Sequence, residues 1–187
     1  GNDIEELISA FKSVKNIGKP IVVHLSTNKG NGFKPAEINK EDFHFGAPFE
    51  IETGEFKRNK SGQKDEDYSS ITLDFLINSV KNDKTVAVLT AGTPGDFELS
   101  KEVREKMGKQ YIDVGIAEEH AVAMSSGLAK NGAKPVFCVC SSFIQRTYDQ
   151  LSQDLCLNNN PALILVYYAS VYRANDVTHL GIFDIPM

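Results

Sequence analysis

The chain has 187 residues, 41% of them apolar and 24% charged, with a formal net charge of −5; this is the composition of a globular chain that can build its own core. The 20 basic residues are dispersed. The densest group, Lys57 to Lys64, runs straight into Asp65, Glu66 and Asp67, which argues against nucleic acid as a partner. No apolar run reaches the roughly 18 residues of a membrane span, and no signal peptide opens the chain, so a cytoplasmic protein is expected.

Gly1 stands where an initiator Met would, so a piece of a longer protein is expected. Residues 3 to 15 place Ile4, Leu7, Ile8, Phe11 and Val14 at helical spacing, with Asn2 or Asp3 as cap. Gly18-Lys19-Pro20 ends that helix, and Pro20 to Thr27 reads as a buried strand. From residue 28 to about 66 no period is sustained, and a structureless loop of that length inside one domain is improbable, so this is read as an inter-domain connection. A second unit follows. Helices are expected over Tyr68 to Val80, Phe97 to Met107, Glu118 to Lys130 and Phe143 to Leu157. Strands are expected over Thr85 to Leu89, Gln110 to Val114, Pro135 to Cys140 and Pro161 to Tyr168. This alternation predicts an α/β fold, a parallel sheet with helices on both faces. Ligands bind such sheets at the carboxyl ends of their strands, which directs attention to loops 90–96, 114–120, 140–146 and 169–183.

Cys138 and Cys140 lie two apart in one strand and face the same way, as small buried hydrophobes. With Cys156 they make no C-x-x-C pair and no metal-ligand spacing, and they read as reduced thiols. The turn Asp113-Val-Gly-Ile-Ala-Glu-Glu-His-Ala-Val122 sets two carboxylates between a buried strand and a small-residue helix. Glu118 and Glu119 are either helix N-terminal acids favoured by the macrodipole or include one carboxyl drawn into a cleft. His120 is a base or a structural histidine, Phe143 core or a stacking platform, Arg146 a surface charge or a site residue. His179, in the polar stretch Asn175 to Gly181, is divided evenly between site and structure. Lys29-Gly30-Asn31-Gly32 is a weak phosphate-cradle signal.

Six segments extend this reading: Gly1-Asn2-Asp3, Lys29-Gly-Asn-Gly-Phe-Lys-Pro-Ala-Glu37, Phe43-His44, Tyr111 to Val122, Ser141 to Gln150, and Thr178-His-Leu-Gly-Ile-Phe-Asp184. In order and spacing they resemble the 1-deoxy-D-xylulose-5-phosphate synthase family, thiamine-diphosphate enzymes of the transketolase superfamily. The resemblance implies a first part, residues 1–33, ending a diphosphate-binding domain. It implies a linker over 34–66 and a pyrimidine-binding domain over 67–187 that is incomplete at its C-terminus. It implies a transferase that condenses pyruvate with glyceraldehyde 3-phosphate to 1-deoxy-D-xylulose 5-phosphate with loss of CO2, feeding isoprenoid, thiamine and pyridoxal synthesis. Thiamine diphosphate is the implied cofactor. Mg2+ comes with it, its ligands expected in a Gly-Asp-Gly…Asn motif that these residues do not contain, so this chain alone is expected to be inactive.

Residue by residue, Glu118 matches the glutamate that hydrogen-bonds the aminopyrimidine ring nitrogen, and His179 a histidine placed for proton transfer. Phe143 matches an aromatic stacked on the pyrimidine; Phe33 and Lys29 match further cofactor contacts, Phe33 standing for a tyrosine. Arg146, His179, Arg173 and Asn175 are implied on the substrate side. The family's Asp-Arg-Ala-Gly is here Tyr167-Tyr168-Ala169-Ser170, and Gly-Ala-Asp-Gly is Arg173-Ala174-Asn175-Asp176, so Arg173 is expected to supply the charge missing at Tyr168. A homodimer with Val122 to Leu128 facing the second subunit is the implied assembly. The alternative is a non-catalytic or split transketolase-like module, with a different substrate or a separate diphosphate-binding chain.

Overall fold

The computed structural model describes residues 1–44, 47–57, 67–169, 179 and 181. It divides into two compact units, Gly1–Gln63 and Lys64–Met187.

In the first unit, α1 spans Ile4–Val14, and Asp3 caps it by accepting a hydrogen bond from Glu6 N at 2.8 Å. The strand expected over Pro20 to Thr27 does not form: the backbone there is irregular and Val22 is 94% exposed. The segment has strand-forming side chains but, among the described residues, no neighbouring strand to take its N–H and C=O groups, and an unpaired strand has nothing to hold it. The segment read as unpatterned holds α2 (Lys34–Ile38), a 3-10 turn at Asp42–His44 and an antiparallel bridge between Phe49 and Phe56. Phe33, Phe43, Phe49 and Phe56 pack on one another with ring centroids 4.8 to 6.1 Å apart. Aromatic rings at irregular sequence spacing hold this segment, so no regular period was there to be read.

The second unit begins with α3 (Tyr68–Asn82), started by a reciprocal capping box between Asp67 and Ser70. Four parallel strands follow in the order β2-β1-β3-β4: β1 Val86–Thr90, β2 Tyr111–Asp113, β3 Lys134–Cys140 and β4 Leu163–Tyr167. Helix α4 (Lys101–Met107) connects β1 to β2, and α5 (Glu118–Lys130) connects β2 to β3. The predicted parallel α/β sheet is therefore observed.

Alternate residues of the central strands feed two cores. Val86, Val88, Val136 and Cys138 pack with Leu76 of α3, Met107 of α4, Phe97 and Leu99. Ala87, Leu89, Phe137 and Val139 pack with Ala121 and Val122 of α5 and with Ile144 and Leu155. Burial pushes the Cys138 thiol up to about 12, so it behaves as a small apolar side chain.

Two expected helices are broken up. The one over Phe97 to Met107 is a 3-10 turn at Pro94–Phe97, then Glu98 in the left-handed region at φ 53°, then α4 capped by Ser100 accepting from Val103 N. The one over Phe143 to Leu157 is α6 (Ser141–Ile144), a 3-10 turn at Gln145–Thr147 and a π-helical stretch at Gln150–Cys156. Thr147 Oγ1 donates to Ile144 O at 2.7 Å and Ser152 Oγ to Asp149 O at 3.1 Å. Side-chain hydroxyls competing for helix carbonyls disturb a regular ladder in this way.

At the amino-terminal end of the sheet, Asp83 accepts from Lys134 Nζ at 2.8 Å, from Thr85 Oγ1 at 2.6 Å and from Thr85 N at 2.8 Å. The Lys134 ammonium, followed by the Thr85 donors, holds the Asp83 carboxyl well below the usual carboxylate range. A carboxyl depressed in the folded state stabilises above its unfolded value, and the contribution is lost as pH falls through the folded value. Asp83→Asn is thus expected to lower the urea midpoint near neutral pH, by a difference that narrows as pH drops below the ordinary aspartate range. A midpoint difference unchanged between about pH 7 and about pH 2 refutes the assignment.

Candidate active site

From β1 the chain runs to β2 on one side, and α5 then carries it from β2 back past β1 to β3 on the other, so the strand order reverses between β1 and β3. The crevice at the carboxyl ends of such neighbours is where parallel sheets bind ligands. Asp113, the last residue of β2, organises the loops there. Its Oδ1 accepts from Gly115 N at 2.8 Å and Gly92 N at 3.1 Å; its Oδ2 accepts from Thr90 Oγ1 at 3.0 Å and Tyr111 OH at 3.2 Å. Gly92 at φ +80° and Gly115 at φ +70° turn in a region that side-chain-bearing residues rarely adopt. Burial, offset in part by the Thr90 hydrogen bond, pushes the Tyr111 phenol up to about 12, so it stays a neutral hydrogen-bonding group. The two loops are tied to one carboxylate, and the turn into α5 is set by it.

That turn delivers Glu118 as the first residue of α5, where the helix dipole favours negative charge. Its side chain is 2% exposed. A carboxylate without water needs a partner, and Arg146, in the 3-10 turn after α6, donates from Nη1 to Glu118 Oε2 at 3.1 Å. Arg146 also lies over the Phe143 ring, its Cζ 5.8 Å from the centroid. The His179 ring meets Phe143 edge-on at 5.1 Å. Glu118, Arg146, Phe143 and His179, named separately from the sequence, thus form one contiguous cluster. Glu119 and His120 are exposed, so of the two acids only Glu118 is drawn inward, and His120 is neither a buried structural histidine nor a member of the cluster.

The neighbouring strand ends carry other chemistry. Cys140 Sγ donates to Asp96 Oδ2 at 3.1 Å, linking the loop after β1 to the end of β3. Phe97 packs on Tyr167 at 4.3 Å, and Tyr168, just past β4, has φ 57°. Ser142 Oγ in α6 is buried and meets no partner among the described residues.

The other expected site residues lie in the first unit or outside the described residues. Lys29 and Phe33 belong to the first unit, where Lys29 Nζ donates to His44 Nδ1 at 2.6 Å and Phe33 is part of the aromatic cluster. Arg173 and Asn175 lie outside the described residues. Among the described residues no group of three or more His, Cys, Asp or Glu side chains converges as a metal site.

A planar heteroaromatic ring with a basic nitrogen fits such a cluster: a flat face from Phe143 and a buried carboxylate for the nitrogen. Comparison with known proteins points the same way. The family model for the transketolase pyrimidine-binding domain matches residues 66–187. The chain belongs to that family. It is also similar, over 99% of its length, to proteins named 1-deoxy-D-xylulose-5-phosphate synthase: 39% identical to that of Halothermothrix orenii, 40% to that of Crocosphaera subtropica and 38% to that of Clostridium perfringens. The chain spans 28%, 29% and 29% of those three relatives.

Within this transketolase-type domain, the sequence reading passed over Asp113, Thr90 and Tyr111 as site-forming residues, and His44 beside Lys29. Asp113 carried a usable signal: an acid at the end of a strand, two residues before a glycine, is placed to accept turn N–H groups. Nothing in the sequence announced the Asp96–Cys140 contact. In the stretch Val122 to Leu128, expected to face a second subunit, Val122, Ser125 and Ser126 are buried within the unit. On one face α5 exposes His120 and Gly127, seven residues apart.

Proposed function

We propose that this chain is the pyrimidine-binding part of a thiamine-diphosphate-dependent transferase that condenses pyruvate with glyceraldehyde 3-phosphate to 1-deoxy-D-xylulose 5-phosphate. The observation that carries the reading is the buried Glu118 carboxylate at the carboxyl end of the sheet, in a cluster with Phe143 and His179. Bound thiamine diphosphate supplies the electron sink for decarboxylating a 2-oxo acid. Glu118 holds a proton at the pyrimidine ring nitrogen. Phe143 keeps the ring plane, and His179 moves a proton at the reacting carbons. Lys29 and Phe33 are assigned to the cofactor, and Arg173 and Asn175 to the substrate. Mg2+, the diphosphate contacts, a homodimeric assembly and a cytoplasmic setting complete the proposal.

A second reading has its own support. Tyr167 and Tyr168 occupy the end of β4, and the Asp96 carboxylate sits at the end of β3, which favours a transketolase-like module with a different acceptor. One titration separates the readings from a non-catalytic role. Thiamine diphosphate with Mg2+ is added to the longest natural form of the protein, alone and with any partner chain carrying a diphosphate site. Saturable binding, with pyruvate consumption that depends on glyceraldehyde 3-phosphate, is expected. Consumption with another aldehyde only supports the second reading, and absence of binding in every combination sinks both.

A further inference from the structure

We propose that Arg146 is a positioning residue for Glu118, holding one carboxylate oxygen so that the other is presented to the cofactor's ring nitrogen. The inference rests on the thiamine-diphosphate reading above. It departs from the substrate role that the sequence implied for Arg146.

A glutamate at a helix start has a long side chain whose terminal torsion has a broad, roughly two-fold well, so an unassisted carboxylate spreads its two oxygens over many directions. Glu118 is 2% exposed and is not oriented by water. Arg146 makes contact through Nη1 alone, at 3.1 Å, with Oε2 alone. The bond is therefore not the two-pronged arginine–carboxylate clasp that would consume both oxygens. No donor among the described residues meets Oε1, which keeps its lone pairs for an incoming N–H.

Arg146 is itself fixed from a second direction. Its guanidinium lies over Phe143, a cation–π arrangement, and it sits in a 3-10 turn secured by the Thr147 hydroxyl to Ile144 O. One side chain thus connects the ring platform to the acid and sets the angle between them. An arginine suits this task because its planar fork keeps its direction, and a lysine in its place supplies charge without that planarity.

The test uses the complete protein with thiamine diphosphate and Mg2+. Arg146→Gln is expected to weaken cofactor binding several-fold and to slow C2 proton exchange of the bound cofactor about tenfold, the half-exposed guanidinium giving less than a buried pair. Arg146→Lys is expected to recover part of both losses. In the cofactor-free protein, the shifts in unfolding midpoint caused by Arg146→Gln and Glu118→Ala are expected not to add, because each removes the same contact. Variants that keep wild-type cofactor affinity and exchange, and raise only the KM for pyruvate or the aldehyde, overturn the inference, as do additive midpoint shifts. A wild-type protein that binds no thiamine diphosphate overturns the cofactor reading and the inference together; binding with unaffected variants overturns the inference alone.

Discussion

Glu118→Gln in the complete enzyme is expected to slow C2 proton exchange of bound thiamine diphosphate by about 10²- to 10⁴-fold, the range of a lost acid–base group, with little change in folding. The side chain is enclosed, so a glutamine of the same shape leaves no cavity. It still offers a carbonyl oxygen to Arg146 Nη1, but it cannot share a proton with a ring nitrogen. The competing account makes Glu118 a first-turn acid that complements the dipole of α5. That role is worth only about 0.3–1 kcal/mol of stability and predicts no effect on exchange. Glu119 supplies the control, being the next residue of the same first turn but exposed. Glu119→Gln tests the dipole contribution alone and is expected to leave exchange unchanged. Equal exchange rates for wild type and Glu118→Gln, measured by quenched proton NMR, would falsify the role given to Glu118.

The second unit was legible because its pattern is strong. Short β-branched runs alternate with helical periods, and α5 begins and ends where its acids and Lys130 mark it. The first unit was less so. Pro20 to Thr27 has the composition of a strand, but a strand is a property of a pair, and the described residues contain no partner for it. The aromatic cluster of Phe33, Phe43, Phe49 and Phe56 joins residues of irregular spacing, which no period reveals. In the site, Glu118 stood out because charge beside two buried elements is anomalous. Its partner did not, since Arg146 lies 28 residues away, and only the break of the expected helix into α6 and a 3-10 turn brings it to the carboxylate. Asp113 was hidden for the opposite reason. Its four donors come from the loops and strands around it, and the glycine two residues on was its one sign in the sequence.

Phe137→Ala is expected to destabilise the second unit by about 3–5 kcal/mol, a large share of the roughly 5–15 kcal/mol that holds a domain together. Phe137 is 0% exposed in the middle of β3, paired with Leu89 of β1 on one side and Ile164 of β4 on the other. Both flanking ladders fix the backbone, so the strand cannot move in to fill the space of the lost ring. The space lies within the core shared with Ala121 and Val122 of α5 and with Ile144 of α6. The first helix carries Glu118, and the second carries Phe143. Loosening this core therefore loosens the angle between acid and platform, and a misplacement of about 1 Å far from the chemistry is enough to cost about a hundredfold in rate. Phe137→Leu keeps most of the volume and is expected to cost less than about 1.5 kcal/mol with the site intact. Urea unfolding followed by far-UV circular dichroism reads the first effect and cofactor affinity the second. An alanine variant within about 1 kcal/mol of wild type means that the helices bearing Glu118 and Phe143 are not set by packing on β3, and that the hydrogen bonds of Asp113 and Arg146 alone hold the site.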